Sequence, residues 1–141
     1  MVTNQDGLGS DSFPEETFWA VHRHIIKSFA NEGVSFHAVH IDRSLAKDKH
    51  PNRKPGIGML KTYMENMEYD IANSFVIGDR ITDVVLAKNL GCRAIWLNND
   101  PLLGGDELRN MELPEGGLET IVALETRSWQ EIYEFLRLGE R

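Results

Sequence analysis

The sequence predicts an α/β fold, a parallel sheet covered by helices on both faces. Three observations carry this. Apolar runs of strand length alternate with runs whose apolar residues recur at helical spacing. One run, SFVIG at residues 74–78, is apolar throughout, as expected of a strand buried on both faces. Three polar groups follow strand candidates, where ligands bind in such sheets.

The elements follow in order. Met1-Val2-Thr3 reads as the end of a strand, and Asn4-Gln5-Asp6-Gly7 as the polar turn after it. Ser12-Phe13-Pro14-Glu15 has capping-box spacing with proline in the first turn. Phe18, Val21, His22, Ile25 and Phe29 then mark one helix face, and Asn31-Glu32-Gly33 ends the run. Residues 36–41 (FHAVHI) form a short strand candidate, and residues 42–55 a polar loop. Residues 56–67 are a helix candidate with Ile57, Leu60 and Met64 on one side. After the strand at 74–78, residues 82–90 predict a helix closed by Gly91. Residues 93–97 (RAIWL) are the next strand, and a Gly- and Pro-bearing loop spans 98–117. LETIVAL at 118–124 is a strand or extended run. Ser128-Trp129-Gln130-Glu131 is a second capping box, opening a helix with Trp129, Ile132, Phe135 and Leu136 on its apolar side.

At 141 residues the chain has the size of one domain, able to bury roughly two thirds of its unfolded surface. Hydrophobic residues make up 41% and charged residues 26%, the balance of a globular chain. A net charge of −7 argues against a nucleic-acid partner, which needs a basic patch, but leaves room for an anionic substrate in a local basic pocket. The single cysteine, Cys92, allows no internal disulfide and fits a reducing cytoplasm. It follows a helix-ending glycine and enters a strand, the setting of an inert buried thiol. No apolar run approaches the roughly 18 residues of a membrane span, so no membrane role is expected. The first residues lack the basic start and apolar core of a signal peptide.

The three polar groups are Thr3-Asn4-Gln5, Arg53-Lys54-Pro55 and Gly78-Asp79-Arg80-Ile81-Thr82-Asp83. Asp79 and Asp83, at i and i+4, can share a face and suit a hard cation such as Mg²⁺. Equally, Asp79 or Thr82 caps the next helix and Asp83 supports its first turn. Lys54 can neutralise a phosphoryl group as a point charge, or sit solvated in its loop. The Thr3 hydroxyl can donate to an oxyanion while the following backbone N–H groups cradle it, or it can simply shape a turn.

In this order, Thr-Asn-Gln, Arg-Lys-Pro and strand-Gly-Asp-x-x-x-Asp, the sequence resembles the later motifs of the haloacid dehalogenase-like phosphatases. VTNQDGLG, SFPEETF, RKP, SFVIGDRITDVVLAKNLG and the final helix together resemble the histidinol-phosphate phosphatase domain, over nearly the whole chain. That resemblance implies a Rossmann-like, three-layer sandwich and Mg²⁺-dependent hydrolysis of histidinol phosphate. It also implies a fused or separate imidazoleglycerol-phosphate dehydratase as partner. Thr3 would hydrogen-bond the phosphoryl group, and Lys54 would hold its oxygens. Asn4, Gln5, Arg53 and Arg80 would face substrate. Asp79 would bind Mg²⁺, with Asp83 supporting the metal shell. Phosphoryl transfer needs such positioning and charge neutralisation above all.

Two departures from the family pattern stand out. The family's first motif, an Asp-x-Asp on the first strand, supplies the nucleophile and general acid/base, and that pattern does not occur here. The expectation is a domain truncated at its N-terminus, its nucleophile encoded on an upstream strand that lies between those ending at Thr3 and Asp79. Without a central strand two sheet edges stand open. Each lost ladder bond removes about 1 kcal/mol from a total of roughly 5–15 kcal/mol. The isolated chain is therefore expected to be poorly stable, aggregation-prone or dependent on a partner segment, and a cooperative thermal transition at monomeric mass would contradict this. The second departure is the loop IDRSLAKDKHPNRKP. Where some relatives carry a Cys/His zinc site, it offers Asp42, Ser44, His50 and Asn52, so no zinc is expected. The other histidines (His22, His24, His37 and His40) lack ligand spacing. Other readings are a heptose-bisphosphate phosphatase, a nucleic-acid end phosphatase (disfavoured by the charge) and, from another class, a non-catalytic fragment or interaction module.

Overall fold

The computed structural model describes residues 1–100 and 117–139. Most of the loop expected at 98–117 lies outside the described residues. The chain divides into two compact units, Met1–Lys54 and Pro55–Arg141.

In the first unit, β1 (Val2–Asn4) pairs in parallel with β2 (His40–Asp42), with Thr3 opposite Ile41. Between them runs α1 (Glu15–Asn31). The capping box expected at Ser12 does not form. Pro14 is the N-cap, no side chain caps the helix, and the Ser12 hydroxyl instead meets that of Ser10 at 3.0 Å. Glu15 is drawn away to the Trp19 indole and the Arg43 guanidinium. The buried stripe of α1 also differs from the expected one. Phe18 is buried, with His22 stacked on its ring at 5.2 Å, while Val21, Ile25 and Phe29 stay 58%, 40% and 42% exposed. β2 is shorter than the FHAVHI run. Its ladder with β1 starts at His40, and Phe36 packs edge-on against Phe29 instead.

The second unit is layered. β3 (Phe75–Gly78), β4 (Arg93–Leu97) and β5 (Val122–Thr126) form a parallel sheet in that order. The helix expected at 56–67 is reduced to a 3₁₀ turn, Gly58–Leu60, and α2 (Lys61–Glu65). LETIVAL divides into a 3₁₀ turn, Leu118–Thr120, and the start of β5.

Alternation along the strands fills both faces of this sheet. On one face Val76, Ala94 and Trp96 meet Ile81, Val84 and Ala87 of α3 (Ile81–Leu90). On the other, Phe75, Ile95 and Leu97 meet Ile132 and Phe135 of α4 (Trp129–Leu138). The strand expected to be buried on both faces is not: β3 is an edge, and Ile77 is 40% exposed. α3 is buried almost all round, from Ile81 to Ala87, and closes on Gly91 at φ +81°, a backbone only glycine adopts without strain. Ser128 caps α4 by accepting the Glu131 N–H at 3.4 Å. The Glu131 carboxylate turns to the Thr126 hydroxyl, not back to the cap. Trp129, expected on the apolar side of this helix, is 65% exposed.

Cys92 is buried against α3 and β3, and that burial pushes its thiol up against the opposing pull of backbone hydrogen bonds. Its thiolate fraction at neutral pH is accordingly small. A disulfide reagent such as DTNB is expected to label it slowly in the native chain and at once in denaturant. Rapid native labelling would mean the core opens locally.

Candidate functional site

The strand-end groups fall into two clusters, one in each unit. In the first unit, β1 delivers Thr3 and Asn4 to its carboxyl end. The Gln5 amide donates to the Thr3 hydroxyl oxygen at 2.9 Å, so the Thr3 proton points elsewhere and can serve an oxyanion. Asn4 spends both ends of its amide on Lys54, accepting the Lys54 N–H at 3.0 Å and donating to the Lys54 carbonyl at 3.2 Å. This bracket joins positions 50 residues apart in the chain and fixes the Lys54 backbone beside β1. No spacing in the sequence announces it. Arg53 is held too, its guanidinium donating to Asp6 at 2.5 Å and to the Ser44 carbonyl at 2.9 Å.

The backbone cradle expected after Thr3 is largely spent on the chain itself. The N–H groups of Gln5, Gly7 and Leu8 donate to the Asp42, Arg43 and Gln5 carbonyls. Behind them, in place of cysteines, the loop after β2 is tied by a buried carboxylate. Asp42 is 5% exposed and accepts from both the N–H and the hydroxyl of Ser44. Its other oxygen lies 3.5 Å from His50 Nδ1. The same nitrogen accepts the Asn52 N–H at 3.3 Å.

In the second unit, β3 ends at Gly78, and Asp79 and Arg80 are exposed beyond it. Neither Asp79 nor Thr82 caps α3; the N-cap position falls to Arg80. Asp83 carries the first turn. Its Oδ2 accepts the Arg80 N–H at 3.3 Å, its own N–H donates to the Arg80 carbonyl at 2.9 Å, and it is 6% exposed. The Asp83 side chain lies against Gly78 so closely that a Cβ built there would collide with the carboxylate and stand 2.5 Å from the Asp83 Cβ. This close approach is why the strand must end in glycine. Among the described residues, no hydrogen bond or ion pair engages the Asp79 carboxylate.

Asp79 is positioned from the neighbouring strand. Trp96, in register with Gly78, donates its indole N–H to the Asp79 carbonyl at 3.3 Å. Trp96→Phe is expected to cost about 1 kcal/mol in urea unfolding, the net worth of one such bond, with the ring packing kept. A cost near zero would mean the contact does not brace the loop.

A parallel α/β sheet with helices on both faces, an Asp exposed at a strand end and a second Asp locked over the strand's last glycine make the second unit similar to the haloacid dehalogenase-like hydrolases. The HAD-hydrolase-like family model matches residues 51–108. The chain is 54% identical, over all 141 residues, to the histidine biosynthesis bifunctional protein HisB of Bacteroides fragilis, and 50% identical to that of Spirosoma linguale. It spans 35% and 37% of those two proteins, about a third of their length. Among solved structures it resembles D,D-heptose 1.7-bisphosphate phosphatase from B. bronchiseptica, complexed with magnesium and phosphate. The TM-score is 0.72 at 25% identity, covering 97% of this chain and 72% of that one.

Proposed function

We propose that this chain carries the phosphoryl- and Mg²⁺-binding residues of a phosphomonoesterase acting on histidinol phosphate in cytoplasmic histidine biosynthesis. The observation that carries the reading is the end of β3. An exposed carboxylate without a partner among the described residues, Asp79, stands beside a second, Asp83, whose position the backbone fixes. A hard divalent cation takes oxygen donors of this kind and keeps several waters, so Mg²⁺ fits Asp79 directly and Asp83 as support. When bound, it would neutralise charge on the phosphoryl oxygens. Thr3 donates its hydroxyl to the phosphoryl group and Lys54 supplies positive charge to it. Asn4 acts as a positioning residue through the Lys54 backbone. Gln5 orients the Thr3 hydroxyl, and Arg53 and Arg80 face substrate.

Within this reading residues 1–141 form one phosphatase domain, partnered with an imidazoleglycerol-phosphate dehydratase activity. That assignment rests on the likeness to bifunctional proteins. Residues 1–141 contain no Asp-x-Asp, so this reading assigns the nucleophile to none of them.

The test is phosphate release from histidinol phosphate with Mg²⁺, for the chain alone and with a supplied N-terminal strand bearing Asp-x-Asp. Release only with the strand supports the reading. A folded, strand-bound chain that releases none sinks it. The structural neighbour favours heptose bisphosphate as a second substrate reading, and faster release from that sugar would replace the first.

A further inference from the structure

Pro55 opens the second unit and is bonded to Lys54, the last residue of the first. Its carbonyl accepts the side-chain amide of Asn89 at 2.8 Å, a contact across 34 positions of chain. Asn89 stands in the last turn of α3 and is exposed. Asparagine is a poor helix former, because its side chain competes for nearby backbone groups. Its amide takes no part in closing this helix. The Gly91 N–H closes α3 on the Ala87 and Lys88 carbonyls, and the Cys92 N–H adds a further bond to Ala87. The amide of Asn89 leaves the helix instead, for the residue after Lys54.

Several restraints then bear on one short stretch of backbone. Asn4 takes the Lys54 N–H and the Lys54 carbonyl. The proline ring fixes φ at Pro55 and narrows the backbone choices of the residue before it. What remains is the rotation that turns the Pro55 carbonyl, and Asn89 holds that. A lysine meets an anion as a point charge on a flexible four-carbon stem. Where that charge can reach is therefore set by how firmly the backbone beneath it is held.

We propose that Asn89 is a positioning residue for Lys54: by holding the Pro55 carbonyl it keeps the lysine where it meets phosphoryl oxygens. What Lys54 binds rests on the phosphomonoesterase reading. The anchoring of its backbone does not, and it is measured separately.

The experiment uses the 141-residue chain, ¹⁵N-labelled. In Asn89→Ala the Lys54 amide is expected to exchange with solvent up to roughly tenfold faster, the loss of one hydrogen bond at its neighbour. The Val84, Leu86 and Ala87 amides of α3 are expected to keep the parent's rates. The urea midpoint should also stay at the parent's, since an exposed bond is lost while alanine's better helix propensity is gained. Calorimetric titration then separates loss of the anchor from damage to α3, whose first turn carries Asp83. Mg²⁺ affinity is expected to hold. Affinity for inorganic phosphate, at saturating magnesium chloride, is expected to fall roughly three- to tenfold, and further in Lys54→Met. Unchanged Lys54 exchange, unchanged phosphate affinity, or a Mg²⁺ affinity that falls with it overturns the proposal. If Lys54→Met still weakens phosphate binding in that case, the phosphatase reading stands. If Lys54→Met binds phosphate as the parent does, or the parent binds none, the phosphoryl role of Lys54 fails and the positioning role falls with it.

Discussion

Gly78→Ala is expected to be the most damaging single-methyl change in the second unit. The added Cβ would occupy the place of the Asp83 carboxylate. Two outcomes are open to the chain, and both are costly. If Asp83 stays, β3 and α3 must separate, disturbing the contact of Val76 with Ile81 and Val84. If Asp83 swings out, the Arg80 N–H loses its acceptor and α3 its first-turn carboxylate. Overpacking and an unmade hydrogen bond each cost about 1–3 kcal/mol, and the chain takes one or the other, so a loss near the upper end, about 3 kcal/mol, is expected. Against a domain stability of about 5–15 kcal/mol, that shifts the urea midpoint strongly. Gly91→Ala is the control. Its Cβ would meet open space, and its cost is only that of the left-handed backbone, about 1–2 kcal/mol. Equal losses for the two variants would show that backbone conformation, and not the Asp83 contact, demands the glycine of this motif.

That glycine also shows which parts of the fold could be read in advance. Glycine after an apolar strand and Asp four residues beyond Asp79 are local patterns, and the structure realises them as a strand end and a helix first turn. The β–α alternation from residue 74 onward was legible for the same reason, since each element's signal lies within its own residues. Contacts between distant positions were not. Nothing near Asn4 says that its amide will bracket Lys54, and nothing near Trp96 says that its indole will reach Asp79. In both cases the partner is set by strand register, which a single sequence does not print. Trp96 could have been found by aligning residues 75–78 against 93–96, because the observed parallel register sets Gly78 opposite it. The capping box at Ser12 failed for a different reason. Capping spacing states only that a side chain can reach, and here Glu15 has stronger partners in Trp19 and Arg43. Trp129 misled because its helical phase is apolar, yet it sits at the end of α4 beyond the Ile132–Phe135 contact with the sheet.

The two aspartates after β3 are expected to fail in opposite ways. Asp79 is exposed, and its carboxylate has no protein partner among the described residues, so Asp79→Asn should leave stability within about 0.5 kcal/mol of the parent. Its loss falls on the metal. Substitutions one step removed from a bound ion already cost about 10–100-fold in affinity, and a direct ligand should cost at least the upper figure. Asp83→Ala should do the reverse first. The Arg80 N–H loses its acceptor in a partly buried bond to a carboxylate that is itself 6% exposed, at about 1–3 kcal/mol. Mg²⁺ affinity then falls only as far as the loop at Asp79 loosens. Calorimetric Mg²⁺ titration beside urea unfolding separates the two. If Asp79→Asn unfolds the chain while Asp83→Ala binds Mg²⁺ less tightly at full stability, the roles are exchanged: Asp83 is the metal ligand, and Asp79 the residue that holds the turn.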